Sequence, residues 1–183
     1  TTASNNIFIG REAGVANTTG TANVAVGMRA LDANTVGNYN TAIGQQALGT
    51  NIDGDYNTAI GFEALEVHEP ADNEGTNTAV GALALTATTT GTGNTAIGYS
   101  AGSTNTTQSR QTIIGSEAGQ GAGSYSTIVG WQAGKSNANN GSVLMGYRAG
   151  YVEIGGYNVM LGYNAGQQAT ATEKSIIIGF EAG

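Results

Sequence analysis

Six aromatic side chains share one repeating position. Phe62, Tyr99, Trp131, Tyr147, Tyr163 and Phe180 each follow a glycine that closes a short apolar run. Rings recurring at a constant spacing suit a saccharide, because an apolar ring face and a polar edge match an amphipathic partner. The same residues also suit plain packing, in which the rings cover a corner of the fold or a subunit seam, and this is the more ordinary use of such rings. A second column, five places before glycine, holds Tyr39, Tyr56, Tyr125 and Tyr157, and packing is the stronger reading there.

Other chemistry is thinly represented. Glu12, Glu63, Glu117 and Glu181 recur two places after glycine, but in copies three or four repeats apart. At ~4.8 Å per stacked strand, neighbours would lie roughly 14 Å apart or more. That exceeds the carboxyl separations of either glycosidase geometry, so these acids read as solvated edge groups. Asp53-Gly54-Asp55 and Asp72-Asn73-Glu74 are the densest oxygen clusters, and neither matches an EF-hand or a calcium-binding β-roll loop. Both read as turns. The stretch from Val67 to Gly75 lies in the one long repeat and carries the single histidine, His68, and the single proline, Pro70. It is expected to bulge from the fold as a contact point. One histidine and no cysteine leave no zinc set and no Cys-His pair. No catalytic residue, metal or cofactor is therefore assigned, and the chain does not read as an enzyme.

Charge narrows the partners. Six basic residues against thirteen acidic ones give a net charge of -7, whereas binding to a phosphate backbone needs clustered Lys and Arg. Nucleic acid is not an expected partner. No apolar run approaches membrane-spanning length, so no membrane insertion is expected.

What positions these residues is a repeat that fills the chain. Aligned on glycine, the unit is Asn/Ser, β-branched, apolar, aliphatic, Gly, any, any, Ala, Leu/Gly. The anchors are Gly10, Gly27, Gly44, Gly61, Gly81, Gly98, Gly115, Gly130, Gly146, Gly162 and Gly179, separated by 15 to 20 residues. Alanine follows three places after every one. A constant period means stacked units in a nearly one-dimensional array. Residues 1–183 read as one such array, a fragment of a longer fibre protein. Aliphatic residues in strict register argue against disorder, and the Gly, Thr and Asn content argues against helices.

The core of each unit reads as a short strand, such as Asn23 to Val26 or Ser175 to Ile178. The residue before glycine and the one two places earlier share a face, because strand side chains alternate. The middle residue points the other way: alanine in copies two to six, and Phe, Ile, Leu or Met elsewhere. Both strand faces are thus apolar. One is expected to line the coil, and the middle column is expected to need cover by self-association. The alanine after glycine is expected to sit where a second short strand packs closely. The expectation is an all-β fold: a parallel β-solenoid, or β-roll, of about eleven 15–20-residue coils, assembled as a homotrimeric rod.

Asn-Thr-Ala-Ile-Gly-x-x-Ala, at Asn40 to Ala47, Asn57 to Ala64 and Asn94 to Ala101, resembles two related groups of repeats. One is the head of trimeric autotransporter adhesins, a left-handed parallel β-roll with a shorter unit. The other, closer in unit length and in its Ala-Leu or Ala-Gly ending, is the repeat region of phage tail fibres. The resemblance implies a trimeric fibre on a virion, or on a cell surface, that contacts a host-surface glycan or protein. The chain carries neither the coiled-coil stalk and anchor of the first group nor the chaperone domain of the second.

The leading expectation is a structural and host-recognition segment of a trimeric virion tail fibre, with the six rings as candidate ligand contacts. The alternatives are the head of a bacterial surface adhesin and an ice-binding solenoid. For the last, Thr41, Thr58, Thr78 and Thr95 give only a partial threonine ladder.

Overall fold

A computed structural model describes residues 3–69, 75–136, 139–152, 155–168 and 173–183. Each repeat contributes one three-residue strand: β1 (Ile7–Ile9), β2 (Val24–Val26), β3 (Thr41–Ile43), β4 (Thr58–Ile60), β5 (Thr78–Val80), β6 (Thr95–Ile97), β7 (Thr112–Ile114), β8 (Thr127–Val129), β9 (Val143–Met145), β10 (Val159–Leu161) and β11 (Ile176–Ile178). All eleven form one sheet in chain order. Neighbours pair in parallel and in register, with Ala42 opposite Ala59 and Ile43 opposite Ile60. Three residues are too few for a stable strand alone, so each coil depends on the coils stacked against it. This is the all-β parallel solenoid that the repeat predicts. Coils are numbered below by their strands.

The direction of the strand side chains corrects the sequence reading. The middle column, from Ala25 and Ala42 through Ile113, Ile128, Leu144 and Met160, is fully buried inside the coil. The column before glycine faces outward: Val26, Val80, Val129 and Leu161 are half-buried, and the others are exposed, from Ile60 at 37 % to Ile178 at 62 %. A three-residue strand has one central side chain and two flanking ones, and here the central one goes in. The middle column is therefore enclosed and available to no partner; the uncovered apolar face is the flanking one.

What fills the interior follows from a pairing within each coil. Coils 2 to 5 place an alanine in the middle column and a fully buried leucine four places after glycine: Ala25 with Leu31, Ala42 with Leu48, Ala59 with Leu65, Ala79 with Leu85. Coils 1 and 7 to 11 reverse the sizes, pairing Phe8, Ile113, Ile128, Leu144, Met160 and Ile177 with Gly14, Gly119, Gly134, Gly150, Gly166 and Gly183. A Cβ at Gly166 would lie 2.4 Å from the Met160 sulfur, and one at Gly14 2.6 Å from the Phe8 ring. Coil 6 is small at both places, Ala96 and Gly102, and is filled from both sides: a Cβ at Gly102 would meet Leu85 at 2.9 Å and Ile113 at 3.0 Å. Interiors pack to a constant density, and the paired columns hold the volume of each layer.

The bend after the strand contains no second strand, which corrects the expectation attached to the repeating alanine. Those alanines are inward, and all those from Ala30 to Ala165 are fully buried. The chain turns around them through left-handed backbone. The anchoring glycines have φ of +132° to +141°. Gly44, at +133°, would place a Cβ 2.3 Å from the carbonyl oxygen of Gly61 in the next coil. Non-glycine residues two places further on are also left-handed, such as Arg29 at 57° and Gln46 at 57°. The bend is fixed by inter-coil hydrogen bonds, Arg29 N–H to Arg11 C=O at 2.9 Å and Gln46 N–H to Met28 C=O at 3.0 Å.

Buried asparagines close the coil. The Oδ1 of Asn23 accepts from the backbone N–H of Asn40, and Asn40 does the same for Asn57, both at 2.9 Å. Their amide groups donate to Gly37 and Gly54 carbonyls at 2.8 and 2.7 Å. A second column runs Asn17, Asn34, Asn51, with Nδ2 of each donating to Oδ1 of the one before, at 2.8 and 3.2 Å. His68 takes the next place in that column and is fully buried. It does not protrude, contrary to the expectation for its segment. The slot between coils holds the imidazole inside, where its Nε2 lies 3.2 Å from the Asn77 side-chain nitrogen. Pro70 and Asp72-Asn73-Glu74 lie outside the described residues.

Candidate functional site

The rings after glycine fall into two sets. Trp131, Tyr147, Tyr163 and Phe180 occupy four successive coils and stack in one ladder, with centroids 4.9, 4.7 and 5.2 Å apart and planes within 22° of parallel. In-register pairing of β8 to β11 sets that spacing. Phe62 and Tyr99 are half-exposed and are separated by the coil that carries Ala82 at this position; no stacked ring partner is found for either among the described residues. In the other column, Tyr39 and Tyr56 stack at 5.0 Å and 3°, and Arg110 lies over Tyr125 at 5.5 Å.

Stacking decides what the ladder offers. Faces of the inner rings are turned onto one another, so the ladder presents ring edges along its length. Trp131 ends the stack, since the preceding coil carries Ser116 at the equivalent place.

Arg148 lies beside this end. Its guanidinium carbon is 5.3 Å from the centre of the Trp131 ring, 5.8 Å from that of Tyr147 and 4.8 Å from that of Tyr151. Its Nε donates to Oε1 of Gln132 at 3.0 Å. Gln132 in turn donates to Glu117 at 2.9 Å, and Lys135 pairs with the same Glu117 oxygen. The Lys135 hydrogen bond, with help from Gln132, holds the Glu117 carboxyl below its ordinary range. Next to Arg148, Tyr151, Val152, Gln167 and Gln168 line an open cavity of about 520 Å³. Arg148, Tyr151, Gln167 and Gln168 were not legible as site residues. The column two places after glycine shows acids in some coils and bases in others, and only the fold brings Tyr151 against Arg148.

The remaining acids lie singly or in twos, with Glu63 near Glu66 and Asp53 near Glu69. Glu12 is near Arg11 and Arg29, each at 3.8 Å. Glu66 accepts from Gln46 at 2.9 Å, and burial with the nearby Glu63 raises its pKa. Burial likewise raises Glu69, whose Oε2 accepts from the Ile52 N–H at 2.9 Å. Among the described residues no three His, Cys, Asp or Glu side chains gather as a metal site would require.

No family model, curated protein or solved structure matches the chain.

Proposed function

We propose that the chain is a structural and host-recognition segment of a trimeric virion tail fibre. The observation that supports this reading is the outward face of the sheet. Two columns run along it: Ile, Val, Leu or Met before each glycine, and Thr, Val or Ile two places earlier. Among the described residues both columns stay at least partly exposed, and Ile7, Ile9, Ile43, Ile97 and Met145 lie on the surface. A continuous apolar strip of this kind marks an association surface. Three copies around a common axis would turn their strips inward, leaving the bends and loops outside. The stacked coils would then serve as a stiff spacer, and the rings and loops as the contact with a surface glycan or protein.

Native mass in solution tests the assembly. A mass of three chains is expected. A monomer would overturn it and favour a free-standing solenoid, because six consecutive coils, β3 to β8, carry outward Thr beside outward Ile or Val, an array suited to ordering water. Thermal hysteresis would then identify an ice binder. A bacterial adhesin of the same architecture is separated from a tail fibre by the neighbouring genes, tail proteins in one case and an outer-membrane anchor in the other. Recognition through the ladder has its own test. Trp131→Ala is expected to weaken host-cell binding and leave the melting temperature in place, whereas equal loss of both would assign Trp131 to packing.

A further inference from the structure

We infer that Arg148 and Tyr151, with Gln167 and Gln168, form a subsite for a carboxylated saccharide; this rests on the recognition reading above and names its ligand class. The chain is acidic, with six Lys and Arg in all, and most of these are committed. Arg11 and Arg29 face Glu12, Arg29 also holds Asp32 at 2.9 Å, Lys135 holds Glu117, and Arg110 donates to the Tyr125 hydroxyl at 2.9 Å. Arg148 has no carboxylate within ion-pair distance among the described residues. It is held instead by three rings and by one hydrogen bond through Nε. Its terminal nitrogens make no hydrogen bond to the described residues. A guanidinium fixed in this way presents a planar fork already set for two parallel hydrogen bonds to a carboxylate.

The cavity that Tyr151 lines, with Arg148 over its ring, offers what a sugar needs. The cavity of about 520 Å³ is of the size that holds small ligands. Tyr151 belongs to both features, with Arg148 4.8 Å from its ring centre and the ring lining the cavity. The side-chain amides of Gln167 and Gln168 can each donate and accept, as sugar hydroxyls require, while Val152 and the Tyr151 ring offer apolar surface to ring CH groups. One cation in a chain of net charge -7 is poorly suited to a polyphosphate. It suits a single carboxylate on an otherwise neutral, hydroxyl-rich ring.

Position along the coil keeps the subsite open in the assembly. Arg148 follows its anchoring glycine by two places, and Tyr151, Val152, Gln167 and Gln168 follow theirs by five or six. The strand residues that form the apolar strip precede glycine. Three copies associated through their strips would display three subsites, and a polysaccharide that bridges them would gain avidity.

The test uses the full chain and matched saccharides: galacturonate oligomers against their methyl esters, sialyllactose against lactose, and a sulfated heparin oligomer. At least one carboxylated member is expected to bind, and esterification or removal of its acid should weaken binding tenfold or more. Arg148→Lys, which keeps the charge and loses the fork, should cost a similar factor. Gln168→Ala, at an exposed position, should cost severalfold without changing the melting temperature. Equal binding of acidic and neutral partners would overturn the subsite and leave glycan recognition standing. Preference for the sulfated oligomer, or indifference to Arg148→Lys, would also overturn it. Binding of none of these would remove both the subsite and the glycan reading.

Discussion

Gly44 and His68 show how much of this fold rests on single positions. At Gly44 the left-handed φ and the carbonyl oxygen of Gly61 leave no room for a side chain. Gly44→Ala should lower stability by about 3 kcal/mol or more, read as a drop in the urea midpoint. His68 is governed by solvation. Burial lowers its pKa from 6.5 to about 4, offset only in part by the nearby Thr89 backbone. Above pH 6.5 the ring is neutral in the folded and the unfolded chain alike. As pH falls from 6.5 towards 4 the unfolded ring takes up a proton and the folded ring does not, so stability falls by about 3 kcal/mol across that window. His68→Asn should remove this part of the acid sensitivity. It would also extend the asparagine column, giving a donor to the Asn51 Oδ1, which has no partner, and eliminating the unpartnered His68 Nδ1. Melting temperatures of both proteins at pH 7 and pH 4.5 check it: the wild type should lose more, and the difference between the two losses is the histidine's share.

Within a coil, the paired columns predict compensation. Ala42→Ile should crowd Leu48 and cost about 1–3 kcal/mol. Leu48→Gly should leave a cavity and cost at least the ~2–5 kcal/mol of a leucine truncated to alanine. Together they recreate the arrangement of coil 8, with Ile128 and Gly134, and the double variant should be more stable than the sum of the single costs by 1 kcal/mol or more in a mutant cycle. This scale also shows what the sequence made legible. The strands, their register and the glycine bends follow from a repeat with one glycine and one alanine at constant offsets. The direction of the side chains does not, because both faces of the strand are apolar and alternation alone cannot choose between them. The deciding signal was the size of two residues six places apart, changing together from Ala with Leu to Ile with Gly. It becomes meaningful only once both are placed in one interior. The same limit applies to the candidate site. Rings in a column implied a ladder, and four of the six form one. Arg148 and the cavity depend on how the chain returns after the bend, where the repeat is loosest in length and composition.

Across the whole molecule, coils 3 and 4 are related by strands of identical sequence, Thr41–Ile43 and Thr58–Ile60, and each is preceded by asparagine. Removing residues 41–57 joins Asn40 to Thr58 and leaves the same local sequence as at Asn57. The shortened chain should fold, keep its native subunit number and melt within a few degrees of the parent; a collapse in melting temperature would mean that the coils are not equivalent. The division of the interior into two kinds of layer carries this further, into how such a gene changes. Unequal exchange between the DNA segments encoding coils 2 to 5 adds or deletes whole turns without disturbing what remains, and the same holds among coils 7 to 10. A breakpoint inside a coil puts leucine against isoleucine in one layer and overfills it, whereas exchange of whole coils keeps each pair together, as where coil 1 adjoins coil 2. The length of the stack is then a heritable quantity adjusted in steps of one turn, and the paired columns decide where a breakpoint can fall.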